Sequence, residues 1–162
     1  MQEIKAIELT KESFKDYGYI MTNAEGEPLL KNIEFTYWGG ISNFKIDSNI
    51  STGILYVHDR PLALTKLERH INSPEVLIAL EGDSLICLGK PKIKDFCSNI
   101  IDDIKAFYIK KGDAVVLHSG TWHWAPFPYK YETSKYLVLL ANGTEGNDVE
   151  VRDLHEEIRI LA

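Results

Sequence analysis

The sequence predicts an all-β domain, a sandwich or barrel, with a minor helix near the N terminus. Three observations carry that prediction. Between residues 35 and 138, short runs of β-like composition recur at intervals of roughly ten residues. Turn residues fill the gaps, as at Gly39-Gly40, Gly82-Asp83 and Gly112-Asp113. No stretch keeps a helical period for long. At 162 residues, with 44% apolar and 26% charged side chains, the chain is expected to form one domain over residues 1–162. A domain of that size buries enough surface to need no disulfide staples.

The elements follow in order. A first strand alternates Ile4 and Ala6 with Lys5 and Ile7. Thr10 is then an N-cap, Phe14 and Tyr17 share one helical face, and Gly18 is placed to close the helix in a left-handed conformation. Residues 23–28 are turn chemistry. Strands are expected over residues 35–38, 52–58, 62–70, 76–80, 84–89, 104–109, 114–117 and 136–141. A second short helix is expected around residues 153–157. The apolar runs at the start and at residues 158–161 are available as edge strands for a second copy, and a homodimer is the default expectation.

Composition excludes several classes of partner. A net charge of −6 with scattered Lys and Arg lacks the basic footprint of a nucleic-acid binder, and Lys90, Lys92 and Lys94 read as a solvated loop. The longest apolar runs are too short to span a membrane. The first residues lack the apolar core of a signal peptide, so a cytoplasmic protein is expected. Cys87 and Cys97 make no disulfide framework and read as reduced thiols.

Two segments carry chemistry. In Leu67-Glu68-Arg69-His70-Ile71-Asn72-Ser73-Pro74-Glu75, Glu68 and His70 are two apart and project from one face of a strand. The Asn-Ser-Pro turn can bring Glu75 back beside them. Imidazole and carboxylate together suit a borderline divalent metal such as Zn, Ni, Mn or Fe, although an ion-pair cluster on a rim would use the same residues. In the second segment, residues 112–126, His118 and His123 flank a glycine turn, with Trp122, Trp124 and Phe127 as apolar walls. Apolar walls with a few convergent polar groups describe a small-molecule site. Lys66 shares the parity of Glu68 and His70 and is a cation for a substrate carboxylate. Arg69 could clamp that carboxylate too, but its opposite parity points it away from such a cavity, toward a supporting role. Tyr56 and Trp124 are further candidate contacts, and Tyr56 and His58 face inward in one of the two strand registers. His155, in an acidic run, reads as surface.

Together the two segments resemble the paired motifs of the cupin superfamily, small double-stranded β-helix (jelly-roll) barrels. Glu68-x-His70 stands where the family has His-x-His, with Glu75 and Gly82 at the spacing of its Glu and Gly. Gly112, Gly120 and His123 fall at the spacing of the second motif, with His118 replacing a Pro. The resemblance implies that Glu68, His70, Glu75 and His123 ligate a metal. The chain from about Leu9 to Asp153 more closely resembles the ureidoglycolate lyase (ureidoglycolate hydrolase) family. That likeness rests on residues 9–18, Leu67-Glu68-Arg69-His70, Trp122-His123 and Asn147-Asp148-Val149-Glu150. It departs at Trp124, where the family has a second His, and at Glu75, where it often has an amide.

This resemblance implies an enzyme that cleaves ureidoglycolate to glyoxylate and urea. That reaction needs a base, an acid and a cation for the carboxylate. His70 or His123 suits the base, and Glu75 or Glu68 could hold the other proton. A divalent metal (Ni, Zn or Mn) would lower the hydroxyl pKa. The alternatives are another metal-dependent cupin enzyme, of sugar isomerase or oxygenase type, and a non-catalytic barrel that binds a small anion.

Overall fold

Residues 2–96 and 100–162 are described in the computed structural model of the protein, which places Cys97 outside them. The chain opens with β1 (Gln2–Ile7), the one-turn helix α1 (Lys11–Phe14) and β2 (Gly18–Ile20). A small hairpin, β3 (Leu30–Lys31) and β4 (Thr36–Tyr37), precedes β5 (Ile50–His58), β6 (Ala63–Arg69), β7 (Glu75–Glu81) and β8 (Asp83–Gly89). A 3-10 turn at Ile100–Asp103 leads into β9 (Ile104–Ile109) and β10 (Ala114–Leu117). Then come β11 (Trp122–His123), β12 (Phe127–Tyr129), β13 (Thr133–Ala141), the one-turn helix α2 (Thr144–Asn147) and β14 (Glu150–Leu161).

The strands form two main sheets. One has the order β11-β6-β14-β1-β9-β8-β12, and β11 also pairs with β8, so that this sheet closes on itself. The other has the order β2-β10-β7-β13-β5. The result is the nearly all-β barrel of two sheets that was expected, with minor helix. β8 is buried along almost its whole length because it faces two cores at once. Leu85 and Cys87 point into a cluster with Ile4, Leu64, Trp122 and Ile158. Ile86 and Leu88 point into a second cluster with Phe14, Leu77, Phe107 and Tyr136. Such a strand reads as a continuous apolar run rather than an alternation. Cys87 is a free thiol, and burial pushes its pKa up to about 12. No described helix is long and apolar enough to cross a membrane.

The N-terminal helix forms as its cap predicts. Thr10 Oγ1 accepts from the Ser13 amide, and Ser13 Oγ accepts from the Thr10 amide. Phe14 and Tyr17 are buried edge-on against Phe107 at 5.3 and 5.4 Å between ring centroids. Gly18 does a different job from the one expected. It begins β2 rather than capping the helix, and a Cβ there would stand 1.9 Å from the Val116 carbonyl oxygen. Gly82, at φ 70° between β7 and β8, is the glycine that a turn requires.

Residues 153–157 are not a helix but the middle of β14, where the register against β6 shifts between Asp153 and Ile158. His155 is exposed there. Nor are the chain ends open edges. β1 and β14 pair in parallel with each other, Ile4 against Ile160, in the interior of the first sheet.

Candidate functional site

Three short elements bring the site together. β6 carries Glu68 and delivers His70 at its end; the 71–74 turn reverses the chain so that Glu75 opens β7. Two-residue β11 lies against β6 with His123 directly opposite Glu68. These four side chains converge at the lining of a cavity of about 370 Å³. Leu55, Leu77, Val138 and Leu140 line it from the second sheet, the sheet that also carries Glu75, and Trp124, Ala125 and Pro126 follow His123 in the lining. Glu145 and Val149 also line it.

His70, Glu75 and His123 are all buried, at 7, 8 and 5% exposure. His123 Nε2 lies 2.7 Å from Glu75 Oε2 and 3.9 Å from Glu68 Oε1. His70 Nε2 lies 3.4 Å from the same Glu75 oxygen. Each ring is oriented from behind. His70 Nδ1 donates to the Asp148 carbonyl at 2.7 Å, and His123 Nδ1 donates to the Thr121 carbonyl at 2.9 Å. With both Nδ1 positions committed, the two Nε2 atoms face Glu75.

Burial opposes the charged forms, but mutual attraction overrides it. Desolvation would lower the His123 pKa, yet the Glu75 carboxylate raises it to about 9. Desolvation would raise Glu75, yet the imidazoles hold it at about 2. His70 is raised as well, its contact with Glu75 outweighing burial. The resting cluster is therefore a carboxylate beside an imidazolium.

A divalent cation fits this donor set. Glu75 Oε2 and His123 Nε2 are buried 2.7 Å apart and have no hydrogen-bond partner beyond this contact, so both are available to a metal that displaces the shared proton. One ligand atom each from Glu68, His70 and His123 lies within 4.8 Å of the others. Ring nitrogens oriented by backbone carbonyls are the usual support of a metal-binding histidine. A metal would take the place of the His123 proton.

The remaining sequence candidates are placed as follows. Trp124 lines the cavity. Lys66 does not line it; its Nζ rests over the Trp124 ring, 4.5 Å from the centroid. Arg69 faces away, as its parity requires, bonded to Glu150 at 2.7 Å and stacked on Trp122. Tyr56 and His58 face outward, because Leu55 and Val57 take the inner positions of β5. His118 stands outside the cavity, edge-on to Tyr19.

One residue without an assigned role proved central. Asp148 Oδ1 accepts from the Ile71 amide and Oδ2 from the Asn72 amide, at 2.9 and 2.7 Å. Its carbonyl holds His70. Together with the Arg69–Glu150 pair, this makes residues 147–150 the clamp on residues 67–72. The signal available in the sequence was the Asn-Asp-x-Glu motif itself.

The chain belongs to the family described as a domain of unknown function (DUF4867), whose model matches residues 41–161. No curated protein matches it. Among solved structures it is similar to a mutant of Bacillus subtilis oxalate decarboxylase, at 19% identity and TM-score 0.44 over 69% of this chain and 26% of that one. It is also similar to vicilin from tomato, at 15% identity and TM-score 0.44 over 64% and 26%. A third is procruciferin, an 11S globulin from Brassica napus, at 11% identity and TM-score 0.43 over 64% and 22%. The chain thus spans about a quarter of the length of the structures it matches.

Proposed function

We propose that the protein is a metal-dependent enzyme that cleaves ureidoglycolate to glyoxylate and urea, with His70, His123, Glu75 and Glu68 holding the metal. The observation that supports this most is the convergence of two Nε2 atoms on Glu75 at the wall of a cavity. Each ring is already oriented by a backbone carbonyl. A bound divalent ion would chelate the substrate hydroxyl and carboxylate and acidify the hydroxyl.

The chain's own residues then manage the protons. As the C–N bond breaks, its electron pair goes to the departing urea nitrogen, which needs a proton, while the carbinol oxygen gives one up. Whichever of the four side chains is left off the metal is placed to move these protons, His70 or His123 as the base and Glu75 or Glu68 as the holder of the other proton. Glu75 stabilises whichever imidazole is charged. Trp124 and the apolar side chains of the lining keep water from the reacting carbon. Lys66, which rests on the Trp124 ring rather than lining the cavity, would have to swing off that ring to meet the substrate carboxylate. A cytoplasmic setting belongs to the same proposal.

One observation favours a second class of substrate. Among the described residues that line the cavity there is no Lys or Arg, whereas Glu68, Glu75 and Glu145 all line it. An uncharged hydroxy-carbonyl compound, such as an aldose undergoing isomerisation, meets less repulsion there than a carboxylate does. The deciding experiment measures bound metal and then assays urea and glyoxylate release from racemic ureidoglycolate with Ni, Mn or Zn. Enantioselective release that disappears in His70→Ala and His123→Ala supports the lyase. Release no faster than the spontaneous background under every metal sinks it, and aldose-to-ketose conversion by the same preparation would establish the second class.

A further inference from the structure

Among the described residues, two groups of exposed apolar side chains belong to one stretch of the fold. The first is on the outer face of the five-stranded sheet. Two of its cross-strand rows run Ile54–Leu137–Ile78–Ala114 and Thr52–Leu139–Val76–Val116–Tyr19 without a charge, while the next row, through Tyr56, carries the Lys135–Glu81 ion pair. Burial is graded across them. Val116 and Val76 are 0 and 2% exposed, whereas Ile54 and its strand neighbours Ile50 and Tyr56 are 54, 55 and 56% exposed. These last three lie on β5, which is the edge strand of the sheet.

The second is on the β3–β4 hairpin. Leu29, Leu30, Phe35 and Tyr37 are about half exposed or more, and Ile33 is 102% exposed. The hairpin is nevertheless well built. Asn32 Oδ1 accepts from the Glu34 and Phe35 amides at 2.8 and 2.9 Å, closing the turn. Leu30 pairs across to Tyr37, and Trp38 Nε1 bonds the Gly26 carbonyl at the base. It is a formed arm with apolar side chains and no partner among the described residues.

Both surfaces sit in one stretch of the fold. β2 and β5 are opposite edges of the same sheet, so residues 21–49 must pass from one edge to the other, and the arm rises from that connection. Together, arm and edge expose roughly 900 Å² of apolar side chain, taking about 190 Å² for a fully exposed large side chain. That is the area one partner contributes to a standard stable interface, about 800 Å².

We infer that the chain is a two-fold dimer in which the arm of each copy lies on the β13–β5 outer face of the other. A single two-fold operation covers all four surfaces, which is what an isologous interface requires. The two uncharged rows suit an apolar partner with the Lys135–Glu81 pair at their rim, and a second copy supplies one without any further protein. The interface is independent of the metal and of the reaction.

The test uses the full chain in sedimentation equilibrium and light scattering between about 1 and about 100 μM. The expected species has twice the 18.4 kDa chain mass. Ile54→Glu on the face and Ile33→Glu on the arm should each weaken association by at least tenfold, roughly one factor of ten per 1.4 kcal/mol lost. Both side chains are exposed in the single chain, so circular dichroism should stay unchanged. An equal mixture of the two variants should regain dimer, since one arm-to-face contact is intact in the mixed pair, and the doubly substituted chain should not. A wild-type chain that stays monomeric, a dimer indifferent to both substitutions, or a mixture with no recovery would each overturn the inference.

Discussion

The two faces of the five-stranded sheet are built from the same strands, one residue out of step, and they handle polarity in opposite ways. The inner face carries Glu75 between apolar neighbours, and the outer rows beside Val76 carry no charge at all. A buried carboxylate survives on the inner face only because two imidazoles meet it. On the outer face the charges are confined to the exposed Lys135–Glu81 pair beside Tyr56, and the neighbouring rows present aliphatic groups. Substitutions should therefore act through electrostatics and metal affinity on the inside, and through association on the outside.

The largest effect is expected from Glu75→Leu, which strands the His123 imidazolium. Urea unfolding near pH 6 should show a loss of about 3 kcal/mol, and metal analysis should find the site empty. If stability is kept, the carboxylate does not hold the charge. Next comes Asp148→Ala, which releases the 70–72 turn without touching the cavity. Metal affinity by calorimetry should fall about 10- to 100-fold. An unchanged affinity would show that the turn holds His70 unaided.

The pH dependence of the metal-free protein is smaller and has a definite sign. His123 is raised from its usual 6.5 to about 9, so its contribution is complete below pH 6.5 and disappears as the pH climbs through 9. Glu75 is lowered from 4.5 to about 2, so the same contact is complete above pH 4.5 and disappears as the pH falls through 2. Melting temperature should be flat between those limits, apart from other groups, and added Zn should recover the loss above pH 6.5. The smallest effect belongs to the outer face. His58→Ala should change stability by no more than about 0.5 kcal/mol and leave metal affinity untouched.

Much of this arrangement can be read in the sequence, and the exceptions have physical causes. β5 to β10 are legible because turn residues bracket them, and the helix start is legible in Thr10. β11 and β12 are two and three residues long, too short to display a period, although β11 positions the site. β14 hides because its register shift interrupts the alternation, and residues 155–157 are all exposed. His70 and Glu75 could be brought together from the sequence because only the short 71–74 turn separates them, and His123 joined them through the resemblance to the paired motifs. Tyr56 could not be placed, because Leu55 and Tyr56 are both apolar enough to face inward. His118 and His123 flank the same turn, and only the pairing of β11 with β6 separates them.

That pairing has a mechanical consequence. His123 bonds across to β6 on one side and, opposite Leu88, to β8 on the other, so the residue at the cavity wall is also the stitch that closes the first sheet. A load on its ring is transmitted to the seam of the barrel. The backbone amides along that seam should therefore act as a strain gauge for the cavity, with their hydrogen exchange slowing when the site is filled and quickening when it empties.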